Sequence, residues 1–414
     1  MKWVSALSTR PSLEAALDDV IGQAQQSLNA SADLAILFIS TSFASEYPRL
    51  LPLLQERLEV PHLIGCGGNG IIGQTFGTTS EIEEEPALAL TLAHLPGVKL
   101  QTFQLMSEDL PNPDSSPDRW VDLMQVDPAD QPNFILLADA ASTKVNDLLQ
   151  GLDYAYPGAV KIGGLTSGPN LSDGSGLFCD HKLYREGAIG VALSGDIQVD
   201  AIVAQGCRPV GQPYRVTDAE RNVMLQVEEQ LAPLAPDQLP ETGKEQTPLE
   251  ALQSVVDSLD DHDRELAQHA LSVGIVRNEF KQDLEPGDFL IRNLIGVDPR
   301  IGAVAIGDRI RPGQRIQFHL RDAEASAEDL EALLKTYLKA GKSSPAGVLL
   351  FDCLGRGEDF YDQADFDSDL FHRYIKNIPV TGFFCNGEIG PIGGTTFLHG
   401  YTAAFGIFSQ PSRG

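Results

Sequence analysis

Short apolar runs that stop abruptly at polar residues dominate this chain. Residues 34–39, 134–137 and 348–351 are continuous hydrophobic stretches, closed by Ser40-Thr41, Asp139 and Asp352-Cys353. Runs this short, bounded by polar residues, predict strands buried on both faces of a sheet. A helical or irregular stretch follows, as at 47–58 and 366–376, and a second strand then runs into glycines. The unit recurs three times, which marks an internally repeated fold.

The closing turns align. Gly65-Cys66-Gly67-Gly68-Asn69-Gly70-Ile71-Ile72-Gly73 and Gly382-Phe383-Phe384-Cys385-Asn386-Gly387-Glu388-Ile389-Gly390 share Asn-Gly-x-Ile-Gly at one offset. Gly163-Gly164-Leu165-Thr166-Ser167-Gly168 is a weaker middle copy, with Ser167 where the others carry Asn69 and Asn386. Such a turn needs backbone conformations that glycine tolerates, and it presents N–H groups beside a small polar side chain. A purely structural turn explains any single copy equally well.

Residues 87–94, Pro96-Gly97 and 98–106 predict strand, turn, strand, and 303–310, Pro312-Gly313 and 315–320 repeat the pattern. A helix follows the second copy, with Ser326 and Asp329 as a capping-box-like start and Leu330, Leu333, Leu334 and Leu338 on one face. Residues 189–193 and 197–204 read as a hairpin, 210–221 as a join, and 222–227 as a strand opening the second half. The expected class is α/β (mixed α+β), with two related lobes of mixed sheet flanked by helices, divided into 1–213 and 214–414. Residues 231–248 carry Pro233, Pro236, Pro240 and Pro248 among polar residues and predict a mobile insert.

Charge narrows the function classes. Asp and Glu number 58 against 30 Lys and Arg, a formal net charge of −28, which disfavours nucleic acids and anionic membranes as partners. The five cysteines are dispersed without a C-x-x-C pair, as expected of a reducing compartment rather than a disulfide framework. No apolar run reaches the ~20 residues of a spanning helix and the N-terminus lacks a signal-peptide pattern, so a cytoplasmic protein without membrane insertion is expected.

Candidate chemistry gathers mostly at predicted strand ends in the second half: Arg321-Asp322, Cys353 and Arg356, Cys385-Asn386 and Glu388, then Thr395 and His399, with Arg292-Asn293 on an earlier strand at 289–294. Ligand sites of α/β sheets collect outside strand carboxyl ends. Arg356, between two glycines, offers a planar fork to a ligand carboxylate, and Glu388 offers an acceptor to an ammonium; together they suit an amino acid. An internal salt bridge between the two turns is the competing reading. Cys353 or Cys385 as a nucleophile defines a thiol-dependent enzyme, which requires a lowered thiol pKa. Scattered thiols and one histidine do not make a zinc site, and no metal or cofactor is expected. Gly65-x-Gly67-x-x-Gly70 matches a dinucleotide fingerprint literally, but residues 71–85 do not read as the helix that motif requires. A protein-interaction scaffold is the third class, suggested by the acidic surface and the insert.

The strings Cys353-x-x-Arg356-Gly357, Gly382 to Pro391 and Phe397-Leu398-His399-Gly400-Tyr401-Thr402, with 289–293 and 321–323, resemble the FIST C-terminal domain. The segments 61–73, 163–168 and 187–191 resemble the FIST N-terminal domain. The resemblance spans essentially the whole chain. It implies a sensory module that binds small ligands such as amino acids and passes its signal to a separate protein. It carries over no catalytic residues.

Overall fold

The computed structural model describes residues 1–112, 114–141, 144–168, 176–230 and 242–411. It is a mixed α/β protein with four β-sheets flanked by helices, as the alternation of apolar runs and amphipathic stretches leads one to expect. The chain packs as two compact units, Met1–Ala204 together with Leu330–Gly414, and Gln205–Asp329. The units are drawn by packing, so one of them is discontinuous in sequence.

The first unit holds all three repeats, each centred on a six-stranded sheet. At each centre lies one parallel pair: Leu34–Ser40 with His62–Gly68, Asn133–Ala138 with Lys161–Leu165, and Pro345–Cys353 with Val380–Cys385. An antiparallel strand flanks each pair on one side, namely Leu88–His94, Ala188–Gly195 and Ala403–Ser409. On the other side sits a hairpin supplied by a different repeat. The hairpin Ile71–Thr75/Thr78–Ile82 extends the third sheet, Leu177–Cys179/Lys182–Tyr184 the first, and Glu388–Ile392/Thr395–His399 the second. The exchange is cyclic, so no repeat completes its own sheet.

The continuous apolar runs follow from this arrangement. One face of each central strand meets the shared interior, where Ile36, Phe38, Ile135, Leu137, Leu349 and Phe351 form one buried cluster. The alternate residues face helices: Leu37 and Ile39 pack on Leu13–Leu28 and Tyr47–Gln55, and Phe134 and Leu136 on Pro117–Met124 and Val145–Ala155.

The second unit is an antiparallel sheet in the order Cys207–Glu220, Arg315–Arg321, Leu271–Val276, Phe289–Asp298, Ala303–Ile306, Val223–Gln230, Thr242–Gln246. A further ladder joins Cys207–Glu220 to Val223–Gln230 and closes the ring of strands around Tyr214, Val273, Val304 and Phe318.

Several local expectations are corrected. Gln198–Ala204 does not form a hairpin with Ala188–Gly195; it pairs with Ala403–Ser409 in another sheet. The strands Ala303–Ile306 and Arg315–Arg321 lie in the second unit and are not equivalents of Leu88–His94 and Val98–Leu105. Residues 210–220 of the expected join lie in the strand Cys207–Glu220, and Arg221 is in the turn that follows. The helix Ala323–Lys339 begins three residues before Ser326: Asp322 accepts from the Ala325 N–H, whereas the Ser326 hydroxyl donates to the Gly206 carbonyl. Its buried face is Leu330, Leu334 and Tyr337, with Leu338 exposed, as a 3.6-residue period requires. Of the insert, 231–241 lies outside the described residues, Thr242–Gln246 is a strand, and Thr247 caps the helix Pro248–Ser258 in a capping box.

Candidate functional site

The three closing turns meet. The Asn69 N–H donates to the Ser167 hydroxyl at 2.9 Å, and that hydroxyl donates to the Phe384 carbonyl. The Asn386 N–H donates to the Leu165 carbonyl at 3.1 Å, and the Phe384 N–H to the Gly70 carbonyl at 2.9 Å. All three repeats are thus tied within a few residues of their Asn/Ser position. Packing is tight: a Cβ on Gly164 would stand 2.3 Å from the Cys385 sulfur, so only glycine fits there. The residues that end the three apolar runs lie beside these turns. Ser40 pairs in register with Gly68, and Cys353 with Cys385, while Asp139 follows Ala138, the partner of Leu165. All three are buried, and the Ser40 hydroxyl finds no hydrogen-bond partner among the described residues.

The third repeat adds a charged interior. Arg356 is fully buried, and its Nε and Nη2 donate to both oxygens of Asp367 at 2.9 Å. Its Nε also lies 3.2 Å from Asp352 Oδ1, and the guanidinium sits over the Tyr361 ring. Glu81 arrives from the first repeat's hairpin and accepts the Ser368 N–H at 2.8 Å. Glu388 accepts the Thr402 N–H on Oε2 at 3.1 Å and lies beside the Cys353 thiol. Asp367 and Asp352 meet the guanidinium, Glu388 feels its charge, and Glu81 joins the group through Asp367 and Asp352. Glu388 Oε1 and Asp352 Oδ2, on side chains with no solvent exposure, meet no hydrogen-bond partner among the described residues.

Burial dominates the electrostatics, because charge in a low-dielectric interior is costly. Burial and the neighbouring Asp367 push Glu81 up to about 8. Asp352 is held far above the usual carboxyl range by burial and Asp367, and Glu388 by burial, against the opposing pull of the Thr402 N–H and Arg356. The Cys353 thiol is raised by burial and Glu388, although it accepts the Tyr401 N–H at 3.1 Å. The Cys385 thiol is raised by burial and Glu388 as well. Both thiols stay protonated at neutral pH, the opposite of what a thiolate nucleophile needs.

The sequence candidates divide. Asn69, Ser167, Cys353, Arg356, Cys385, Asn386 and Glu388 are in or beside the converging turns, with Asn69 and Asn386 exposed and the others buried. His399 lies directly across from Glu388 in the hairpin register, and its Nε2 bonds the Gly390 carbonyl at 3.0 Å. Thr395 is exposed at the far end of that hairpin, opposite Ile392. Arg292, Asn293, Arg321 and Asp322 belong to the other compact unit. There Arg292 pairs with Asp308 at 2.7 Å, Asp322 pairs with Arg208 at 2.6 Å, and Asn293 is exposed. The expectation that Arg356 offers its fork to a ligand carboxylate is corrected: Asp367 occupies that fork in bidentate geometry. The internal salt bridge is what forms, with Asp367 as the partner rather than Glu388.

Two family models cover most of the chain: the FIST N domain matches residues 33–230 and the FIST C domain matches 248–391. The chain belongs to the FIST family. Two uncharacterized proteins of Mycobacterium tuberculosis are 33% and 32% identical over 403 and 401 residues, each covering 97% of this chain and 98% and 97% of their own length. An F-box/LRR-repeat protein of Arabidopsis thaliana is 25% identical over 370 residues, 79% of this chain and 68% of that protein. FIST domains are sensory and signal-transduction modules. No helix among the described residues is long and apolar enough to cross a membrane.

Sequence reasoning missed Asp352, Asp367, Glu81, Tyr361 and Thr402 in this FIST protein. Asp352 looked like a strand terminator. Glu81 opens a run of four glutamates over 81–85, yet the strand Thr78–Ile82 turns Thr79 and Glu81 inward on alternate positions. That two-residue spacing of buried polar groups was the available signal.

Proposed function

We propose that this protein is a small-ligand sensor whose ligand, an amino acid or a similar small polar metabolite, is recognised where the three turns converge. The observation that carries the reading is Glu388: a fully buried carboxyl with one oxygen held by the Thr402 N–H and the other without a partner among the described residues. A buried acceptor left open costs on the order of 1–3 kcal/mol unless something fills it, and an N–H-rich ligand does so. The exposed Asn69 and Asn386 and the Ser40 hydroxyl lie at the same convergence. The sensory character of the family supports this reading, and a separate signalling protein is the proposed receiver. We place the protein in the cytoplasm, in keeping with five free, buried cysteines.

Thermal denaturation against a panel of amino acids and small polar metabolites tests the reading. A ligand present at about 100 times its Kd adds about 2.7 kcal/mol of stability and raises Tm. Absence of any shift across the panel contradicts it.

A further inference from the structure

We infer that the ligand's required group is a protonated amine rather than a carboxylate, and that the amine enters in exchange for a proton released from Glu388. This rests on the reading of the turns as the ligand site.

Donors and acceptors at the convergence are unevenly engaged. An amino acid's carboxylate needs a cation, and the guanidinium among these side chains is already occupied: Arg356 gives Nε and Nη2 to Asp367, and its Nη1 lies 3.5 Å from the Tyr401 carbonyl. What stands open is Glu388 Oε1, which offers full acceptor capacity once its proton has left. The Ser40 hydroxyl, which has no partner among the described residues either, lies outside the acidic group and adds a further acceptor at the convergence. An ammonium brings three donors and no acceptor, which complements that inventory; a carboxylate brings only acceptors.

Charge balance points the same way. The groups around Glu388 are Cys353, Asp352 and Arg356 from the central strand and its following loop, Cys385 from the parallel strand, His399 from the paired hairpin strand, Asp367 and Tyr361 around Arg356, and Glu81 beside Asp367 and Asp352. One guanidinium cannot neutralise four carboxylates in a dry interior, so Glu388 is uncharged when the site is empty, in line with the upward displacement of its pKa. An arriving ammonium supplies the missing positive charge. In the exchange the Glu388 O–H bond breaks, its proton passes to solvent, and the carboxylate left behind pairs with the intact ammonium. One positive charge enters the site and one leaves it, and no other bond changes.

Matched pairs that differ by one carboxylate supply the test: arginine and agmatine, ornithine and putrescine, tyrosine and tyramine. Thermal denaturation ranks them, and calorimetric titration of the strongest binder at pH 7 in phosphate and in Tris measures proton release. An amine is expected to match or exceed its parent amino acid and to release about one proton, with Glu388→Gln binding at least tenfold more weakly and releasing none. The inference is overturned if only carboxylate-bearing members bind, or if an amine binds without proton release; the sensor reading then survives. If no member of any pair binds, this inference falls, and the wider metabolite panel decides the sensor reading.

Discussion

The Ser167 hydroxyl stands between two other repeats: it accepts the backbone N–H of Asn69, 98 residues away, and donates to the carbonyl of Phe384, 217 residues away. One side chain thus fixes the relative position of all three turns. Where two copies of the repeat place asparagine, the middle copy places the residue that bridges the others.

Ser167→Ala removes that bridge and leaves a buried carbonyl and an N–H to find other partners. A loss of about 1–3 kcal/mol is expected, read by urea denaturation. A larger fall in ligand-induced Tm shift than in basal stability is also expected, because the turns would no longer be held in register.

Arg356→Met removes the positive charge from Asp352, Asp367 and Glu388 together. Breaking a buried pair from one side costs about 3–5 kcal/mol, so this variant should lose more stability than Ser167→Ala by the same denaturation measurement. Arg356→Met with Asp367→Leu removes both charges and should recover a large part of that loss.

The repeats were legible in the sequence because they are local. Three apolar runs became the strands Leu34–Ser40, Asn133–Ala138 and Pro345–Cys353, and the aligned turns became the meeting point. The cyclic exchange of hairpins was not legible. A hairpin such as Ile71–Thr75/Thr78–Ile82 has the same alternation whether it pairs with its own repeat or with Gly382 and Phe383 across some 300 residues. The candidate site was legible in half. Strand-end residues of the third repeat were found by their motif, whereas Asp367 reaches Arg356, and Glu81 reaches Ser368, only through tertiary packing. Arg292 and Arg321 were grouped with Arg356 as candidates of the second half, but they lie in the other unit.

The pH dependence follows from the buried carboxyls. Glu81 rises from the ordinary 4.5 to about 8 on folding, and Asp352 and Glu388 rise too. The native state then binds more protons than the unfolded chain, so stability is greatest below about pH 4.5 for these groups and falls as pH rises through 8. Glu81→Gln should flatten that decline in denaturation curves measured from pH 5 to 9.

His319 in the Gln205–Asp329 unit acts with the opposite sign. It is buried against Phe289, and burial lowers its pKa from 6.5 to about 4. Its contribution is present above pH 6.5 and is lost as pH falls toward 4. Hydrogen exchange resolved by segment should show 205–329 loosening first in acid, and Met1–Ala204 with Leu330–Gly414 loosening first in alkali.

Cys353 and Cys385 should react slowly with iodoacetamide at pH 7, since both thiols are raised and buried. Peptide mass spectrometry after brief labelling checks this. Rapid, selective modification of either would revive a thiol-dependent enzyme.

The most direct measurement is a crystal structure of the protein soaked with the amine or amino acid that gives the largest Tm shift. Ligand density is predicted with a nitrogen within about 3.2 Å of Glu388 Oε1, among the turns carrying Asn69, Ser167 and Asn386. Density confined to another site, such as the cleft of about 350 Å³ between Leu51, Leu58 and His181, with Glu388 untouched, would contradict it.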